Sequence, residues 1–171
     1  MELSINSYIN DILNNATGQY FQYLLLFLFS MFPITECRLT IPFGIIIFKL
    51  PWYSVFIVCV LANILIGAFL ILILDWLIDL LQKNRFFSPI INKIIKRSED
   101  KFDKYQRFKT NGLILFVGIP LPGTGAWSGT LVSYVMGLNR GLSILSIIFG
   151  VVLSGIIMTI LSISGNAIIA G

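Results

Sequence analysis

Residues 113–138 read LILFVGIPLPGTGAWSGTLVSYVMGL, and this stretch decides the fold. Two apolar pieces, Leu113–Ile119 and Ala126–Leu138, are separated by Pro120-Leu121-Pro122-Gly123-Thr124-Gly125. Proline removes a backbone donor and clashes with the preceding turn, so a regular helix should end here. Irregular backbone at membrane depth is tolerated only where protein or a water-filled cavity surrounds it. We therefore interpret the stretch as a re-entrant hairpin of two half-helices joined by a polar break. The alternative is one kinked span.

A second broken segment, Tyr20–Leu50, lies near the beginning of the sequence. Its first apolar piece, Tyr20–Phe32, has thirteen residues. At about 1.5 Å per residue, this piece reaches only about 20 Å. Pro33 then opens a stretch that contains charged residues, and a new apolar piece ends at Leu50. We interpret the segment as a second re-entrant hairpin, again with a kinked span as the alternative. The helix breaks are expected at four prolines: Pro33, Pro42, Pro120 and Pro122.

Two uninterrupted apolar stretches are long enough to cross a bilayer. Val55–Leu74 has twenty residues without a charge, and Gly141–Gly171 has no charged residue. About 20 helical residues cover a hydrocarbon core of about 30 Å. The composition agrees, because 57% of the residues are apolar and only 12% are charged, about half the charge of an ordinary soluble domain. The sequence therefore predicts an all-α integral membrane protein that crosses the plasma membrane more than once.

Each hairpin is followed by a span, so the chain has the pattern of a repeat within a single membrane domain, residues 1–171. The first unit covers residues 20–81 and the second covers 111–171. Residues 82–110 between them hold nine of the twelve Lys and Arg residues against three acidic ones, a net +6. The positive-inside rule places this linker in the cytoplasm, and the second unit is then inverted relative to the first. Inverted repeats with broken helices are typical of secondary transporters.

The basic linker also has the pattern of an amphipathic helix. Ser88-Pro89 is a suitable start, and Asn111-Gly112 is a suitable end. We expect this helix to lie on the cytoplasmic leaflet, with a solvated arm of the helix bundle as the alternative. A weaker pattern over Ile5–Ala16 predicts a second interfacial helix on the outer side.

Glu36 and Arg38 lie in the first break, and charged residues at membrane depth are functional candidates by default. A carboxyl group removed from water takes up a proton more readily, so Glu36 is the candidate for proton coupling. Arg38 stays charged and can bind a phosphate or carboxylate through two parallel hydrogen bonds. The alternative role of the two residues is a structural ion pair that holds the break open.

The second break supplies the other part of the predicted substrate site. A half-helix that begins near Ala126 directs its free N–H groups and its positive dipole end toward the membrane centre. Such a terminus is suited to an anion. The predicted substrate-binding residues are Arg38, Gly123, Thr124, Gly125, Ala126 and Trp127. The alternatives are a glycine turn that serves only close packing, and a packing role for Trp127.

The residue inventory argues against an enzyme. There is no His, and the two Cys, Cys37 and Cys59, lie in apolar sequence. The commonest metal ligand and general base is therefore missing, and the thiols are expected to act as small buried hydrophobes. We expect no catalytic residues, no metal and no cofactor.

The expected partners are membrane lipids and a small-molecule or lipid substrate. A basic linker between membrane segments suits anionic lipid better than nucleic acid, so no nucleic-acid partner is expected. The chain is too short for a two-lobed transporter unless it pairs, which makes a homodimer a candidate assembly.

Two motifs carry a family resemblance: Pro33-Ile34-Thr35-Glu36-Cys37-Arg38 with Ile41-Pro42-Phe43-Gly44, and Pro120 through Gly129, PLPGTGAWSG. From about Tyr20 to Gly171 the chain resembles the putative small multidrug export protein family. That family is similar to the DedA superfamily of membrane transporters, which is linked to lipid-carrier transport and proton-dependent drug resistance. The resemblance implies opposed re-entrant hairpins and a site shared by Glu36, Arg38 and the second break. It also implies a further arginine, for which Arg140 is the candidate counterpart.

Three functions fit these observations. The first is a transporter of a small amphipathic, anionic or zwitterionic substrate, proton-coupled through Glu36. The second is a flippase or scramblase for a lipid phosphate, such as a polyprenyl phosphate or a phospholipid. The third is a non-transporting membrane scaffold in which the breaks only serve packing.

Overall fold

The computed structural model describes residues 18–82 and 106–170, and this part of the chain is helical with short turns and no strand. Six α-helices are present in it. They are α1 over residues 18–30, α2 Glu36–Pro42, α3 Trp52–Gln82, α4 Gln106–Gly118, α5 Ala126–Val135 and α6 Arg140–Ala170. The predicted all-α fold is confirmed for the described residues.

The two long helices, α3 and α6, have 31 residues each. Within them, Trp52–Leu74 and Arg140–Gly165 are long and apolar enough to cross a membrane. Large apolar side chains along these helices are half exposed, such as Leu61 and Phe69 on α3 and Phe149 on α6. Exposed apolar surface of this extent suits contact with lipid. Both predicted spans are therefore found as continuous apolar helices.

Helix α6 lies at the centre of the fold, since it packs against α2, α3, α4 and α5. Glycines permit the close approach. A Cβ atom on Gly150 would lie 2.6 Å from Cβ of Val117 on α4, and one on Gly155 would lie 2.6 Å from Cγ2 of Val60 on α3. Packing through small residues is the usual way in which helices associate in lipid, where the hydrophobic effect does not drive them together.

The order of elements occurs twice along the chain. A short helix, a turn, a second short helix and a long helix follow one another as α1 to α3 and again as α4 to α6. The first turn covers residues 31–35 and the second covers residues 119–125. Pro33 lies in the first turn, and Pro120 and Pro122 lie in the second, where no helix continues.

The predicted break at Pro42 is wrong. Pro42 is the last residue of α2, and the chain continues directly into a π-helical turn, Phe43–Ile47. Proline cannot donate a helical hydrogen bond, and a π-helical turn is a known way to absorb such a defect. The chain leaves helical geometry only after this turn, before Pro51. Glu36 and Arg38 are therefore in the first turn of a helix and not in an unwound stretch.

The predicted helix stop at Asn111-Gly112 is also wrong, because both residues lie inside α4. Leu113 and Val117, one turn apart, are fully buried. Burying this face outweighs the cost of a helical glycine, about 1 kcal/mol. The predicted interfacial helices of the linker and of the N-terminal stretch fall on residues outside the described ranges.

Candidate functional site

The two breaks meet around one cavity of about 700 Å³. Its lining combines Pro33, Glu36 and Arg38 of the first break region with residues Pro120 to Gly125 of the second. Leu70 and Leu74 of α3 and Met158 of α6 complete a largely apolar wall. A charged pair within an apolar cavity suits an amphipathic molecule, whose polar part needs only a few well-placed groups.

The carboxylate of Glu36 lies at the N-terminus of α5. It accepts a long hydrogen bond of 3.5 Å from the backbone N–H of Trp127, and the N–H of Ala126 is also directed at it. Glu36 is only 5% exposed. The amides that the sequence predicts as an anion site are thus in contact with a carboxyl group supplied by the protein itself. The positive end of the α5 dipole stabilises this carboxylate.

Gly125 makes this contact possible. A Cβ atom at this position would overlap sterically with both carboxylate oxygens of Glu36. Its backbone N–H donates to Oγ of Ser128 at 2.8 Å, which fixes the start of α5. Gly125 is therefore required for the close approach of the two breaks and not for an unusual backbone conformation, since its φ of −173° is extended.

The turn before Gly125 is closed by Thr124 and Gly123. The Thr124 hydroxyl lies 2.9 Å from the carbonyl oxygens of Ile119 and Leu121, to which it donates. Gly123 has a φ of +81°, a left-handed conformation that glycine adopts without steric cost. Both residues line the cavity.

Arg38 caps the other side of the second break. Its Nη2 donates to the carbonyl oxygen of Val117 at 3.1 Å, and its Nη1 donates to that of Leu121. The Val117 carbonyl lies at the end of α4, where the last helical turn lacks its own donors. A positive group at the negative end of a helix dipole is favourable. The two charged residues therefore stabilise opposite ends of the same break, Glu36 at α5 and Arg38 at α4.

The backbone of Glu36 is strained. Its φ is +42°, which is uncommon for a residue with a side chain. Such conformations cost about 1–3 kcal/mol and are found most often at functional sites. The residue begins α2 directly after the turn at 31–35, and this conformation orients its side chain across to α5.

Trp127, which follows the second break, forms a hydrogen bond to the region of the first break. Its indole Nε1–H donates to the carbonyl oxygen of Met31 at 3.0 Å. Met31 follows α1, whose last helical residue is 30. Trp127 therefore has both a packing role and a hydrogen-bonding role at the cavity wall.

A pair of buried hydroxyl groups, which was not among the sequence-predicted residues, lies beside the first break. Thr40 donates to the carbonyl oxygen of Glu36 at 2.6 Å, and the Ser30 and Thr40 hydroxyl oxygens are 2.7 Å apart. Since the Thr40 proton is used, Ser30 is the donor between them. Both side chains are buried. The available signal was their position, one on each side of Pro33, within otherwise apolar sequence.

The remaining candidates lie elsewhere. Arg140 begins α6 at an exposed position and is not among the cavity-lining residues of the described chain. Cys37 and Cys59 are free and buried. Within residues 18–82 and 106–170, no three His, Cys, Asp or Glu side chains are grouped closely enough to hold a metal ion.

The chain was compared with known proteins. A family model described as "Putative small multi-drug export protein" matches residues 36–157, which include Glu36, Arg38 and the whole second break. No curated protein and no solved structure matches the chain.

Proposed function

Because the chain belongs to the putative small multi-drug export protein family, we propose that it is a plasma-membrane transporter of a small amphipathic, anionic or zwitterionic substrate, with proton exchange at Glu36. The family description indicates export across a membrane, and the two apolar helices agree with it. The observation that carries the proposal is the cavity between the breaks. There the Glu36 carboxyl group contacts the α5 amides, and Arg38 donates to the carbonyl oxygens of Val117 and Leu121.

The geometry gives a simple rule for coupling. Ionised Glu36 and an anionic substrate group compete for the same amides of Ala126 and Trp127. A proton that binds the Glu36 carboxylate removes its charge and weakens its hydrogen bonds to the amides. The substrate anion then takes the vacated amides beside Arg38. One proton and one anion bind together, so binding leaves the net charge of the cavity unchanged.

Glu36→Gln tests this coupling. Glutamine keeps the size of the side chain and a carbonyl oxygen for the α5 amides, but it does not titrate. We expect purified protein with near-normal thermal stability in which a pH gradient no longer drives transport in proteoliposomes. Substrate export assays in cells that express the variant give a second readout. Undiminished pH-driven transport contradicts the coupling role, and loss of folding supports the structural role of Glu36 and Arg38 instead.

We also propose that both short-helix pairs are re-entrant hairpins and that the two units are inverted. The repeated order of elements and the meeting of the two breaks support this arrangement. In it, the half-helices enter from opposite faces and their tips, at residues 31–35 and 119–125, lie near the midplane. Similarity to the DedA superfamily belongs to the same proposal, as does the cytoplasmic position of the basic linker.

Cysteine accessibility tests the topology. Ser98→Cys in the linker and Ser4→Cys near the N-terminus are expected to react with a membrane-impermeant thiol reagent from opposite sides of the membrane. Cys37 and Cys59 are buried, so the unsubstituted protein should show little background labelling. Labelling of both sites from the same side rules out the inverted arrangement.

One observation favours a lipid phosphate as the substrate, moved by a flippase or scramblase mechanism. A second cavity of about 550 Å³ lies between α1, α2 and the π-helical turn, and its lining is almost wholly apolar. Leu39 lines both cavities. A headgroup in the first cavity would then leave its hydrocarbon chain beside the second. Movement of a fluorescent polyprenyl phosphate or phospholipid between leaflets of proteoliposomes distinguishes this version from transport of a water-soluble amphipath.

A further inference from the structure

Two buried polar side chains lie near the middle of the two long apolar helices and have no hydrogen-bond partner in the described part of the chain. Asn63 is 1% exposed, and neither its amide oxygen nor its amide nitrogen is bonded. Ser154 is also 1% exposed, and its hydroxyl is not bonded. Asn63 is the central residue of Trp52–Leu74, and Ser154 is close to the centre of Arg140–Gly165.

Ser154 differs from three other buried hydroxyl residues of α6. Ser146, Thr159 and Ser162 each donate to the carbonyl oxygen four residues earlier, at 2.6–2.8 Å. This bond is the ordinary solution for a hydroxyl inside a helix. Ser154 has the same option at Gly150 but does not use it. Its hydroxyl is therefore available to another group.

The packing of α3 on α6 brings the two side chains to the same region. Gly155 lies against Val60, and Gly67 lies against Ile147, so the helices run antiparallel. In this register Ser154 is opposite the turn of α3 that precedes Asn63, within about one helical turn, or about 5 Å, along the axis. Asn63 shares a face of α3 with Val60 and Gly67, which are three and four residues away.

Helix α2 closes this region. The Cys37 thiol, itself 1% exposed, interacts weakly with the Asn63 side chain, with a geometry outside that of a regular hydrogen bond. A thiol is a weak hydrogen-bonding group, so it does not satisfy the amide. Neither Asn63 nor Ser154 lines the cavity between the breaks. The region is thus a separate polar junction of α2, α3 and α6.

We propose that Asn63 and Ser154 bind buried water at this junction. Unpaired polar groups in an apolar interior cost about 1–3 kcal/mol each, and lipid offers no solvent to relieve them. The three atoms comprise an acceptor, a donor and a hydroxyl that does both. A cation requires several oxygen ligands, and an anion requires donors only. Water can both donate and accept hydrogen bonds, so it matches this combination of donor and acceptor groups. Buried waters commonly make about three hydrogen bonds.

This water links α2, which begins at Glu36, to the two long helices. The proposed water has a structural role near the middle of the long helices. This proposal does not depend on proton exchange at Glu36. Replacing the polar groups is therefore expected to loosen the junction without changing the charges in the transport cavity.

Thermal unfolding of the purified full-length protein tests the proposal. If water is bound, Ser154→Ala and Asn63→Leu each lower the unfolding temperature by at least about 2–4 °C, the shift expected for about 1 kcal/mol in a chain of this size. Because the two sites share a ligand, the double variant loses less than the sum. Ser162→Ala is the matched control, since its hydroxyl is bonded within its own helix, and it should change little. A rise in unfolding temperature in both single variants indicates a dry junction and overturns the proposal.

A direct measurement keeps the test independent of folding effects. In nanodiscs, the ¹⁵N-labelled side-chain amide of Asn63 should show a cross-peak to water, and this peak should weaken in Ser154→Ala. The peak is assigned by its loss in a further variant, Asn63→Asp, which keeps the size of the side chain. Absence of the cross-peak in the unsubstituted protein overturns the proposal. If Asn63→Leu does not fold, this measurement alone tests the proposal.

Discussion

Gly125→Ala is expected to abolish transport and to lower the free energy of unfolding by about 1–3 kcal/mol, the usual cost of overpacking a well-filled site. The added methyl group would occupy the position of the Glu36 carboxylate oxygens. Either the carboxylate leaves the α5 amides or the two breaks move apart, and both outcomes dismantle the cavity. The measurements are the thermal unfolding midpoint and transport in proteoliposomes.

A matched control and a rescue make this prediction specific. Gly112→Ala adds the same methyl group to α4, where nothing lies within 4 Å, and it should leave transport unchanged. In Glu36→Ala with Gly125→Ala, the carboxylate that causes the clash is gone. The double variant should therefore be more stable than the sum of the two single effects predicts. Normal transport by Gly125→Ala, or strict additivity in the double variant, contradicts the contact described here.

Arg38→Ala is expected to have the second large effect. It removes the donors to the carbonyl oxygens of Val117 and Leu121. The Leu121 oxygen keeps its bonds from the Thr124 N–H and hydroxyl. The loss therefore falls on the part-buried Val117 oxygen, and a buried acceptor left unpaired costs about 1–3 kcal/mol. The substitution also removes the positive charge that the proposed substrate needs. We expect a lower unfolding temperature together with loss of transport and of substrate binding.

Arg38→Lys separates these two contributions. Lysine keeps the charge but loses the planar fork that serves two acceptors at once, so we expect weaker substrate binding with a smaller loss of stability than in Arg38→Ala. Lys49→Ala is the control for charge removal, because Lys49 lies outside the cavity. An unfolding temperature and transport rate in Arg38→Ala equal to those of the unsubstituted protein would show that the capping contacts contribute nothing.

Much of the candidate site was predictable because charged residues and prolines are rare in the apolar parts of a chain of this kind. Glu36 and Arg38 stand out at the start of the protein, and the PLPGTG sequence stands out in its second half. The sequence also indicated that the two breaks belong together. It did not indicate the pairing, in which Glu36 contacts α5 and Arg38 contacts α4. These contacts join residues 79 to 91 positions apart in the chain, and no local pattern specifies them.

The sequence shows that Asn63 is an energetically costly residue for an apolar span, but it does not show which residue lies near it. It is the one amide side chain between Val55 and Leu74. A polar residue at the centre of an apolar span is expensive, and its position is evident from hydropathy alone. Its significance depends on Ser154, whose unbonded hydroxyl only the packing of α3 on α6 reveals.

The sequence alone determined the long apolar helices and the breaks at Pro33, Pro120 and Pro122, because hydropathy, length and the missing proline N–H act locally. Only the tertiary structure decided what happens at Pro42. There the local rule predicts a break, but Ile41 and Ile45 on either side are buried, and Gly44 is packed between Leu26 and Val55. Burial of this face holds the chain helical through the proline, and a π-helical turn absorbs the lost hydrogen bond. Tertiary packing also determines the site. The unpaired N–H and carbonyl groups at the broken helix ends need hydrogen-bond partners, and the fold decides which side chains reach them.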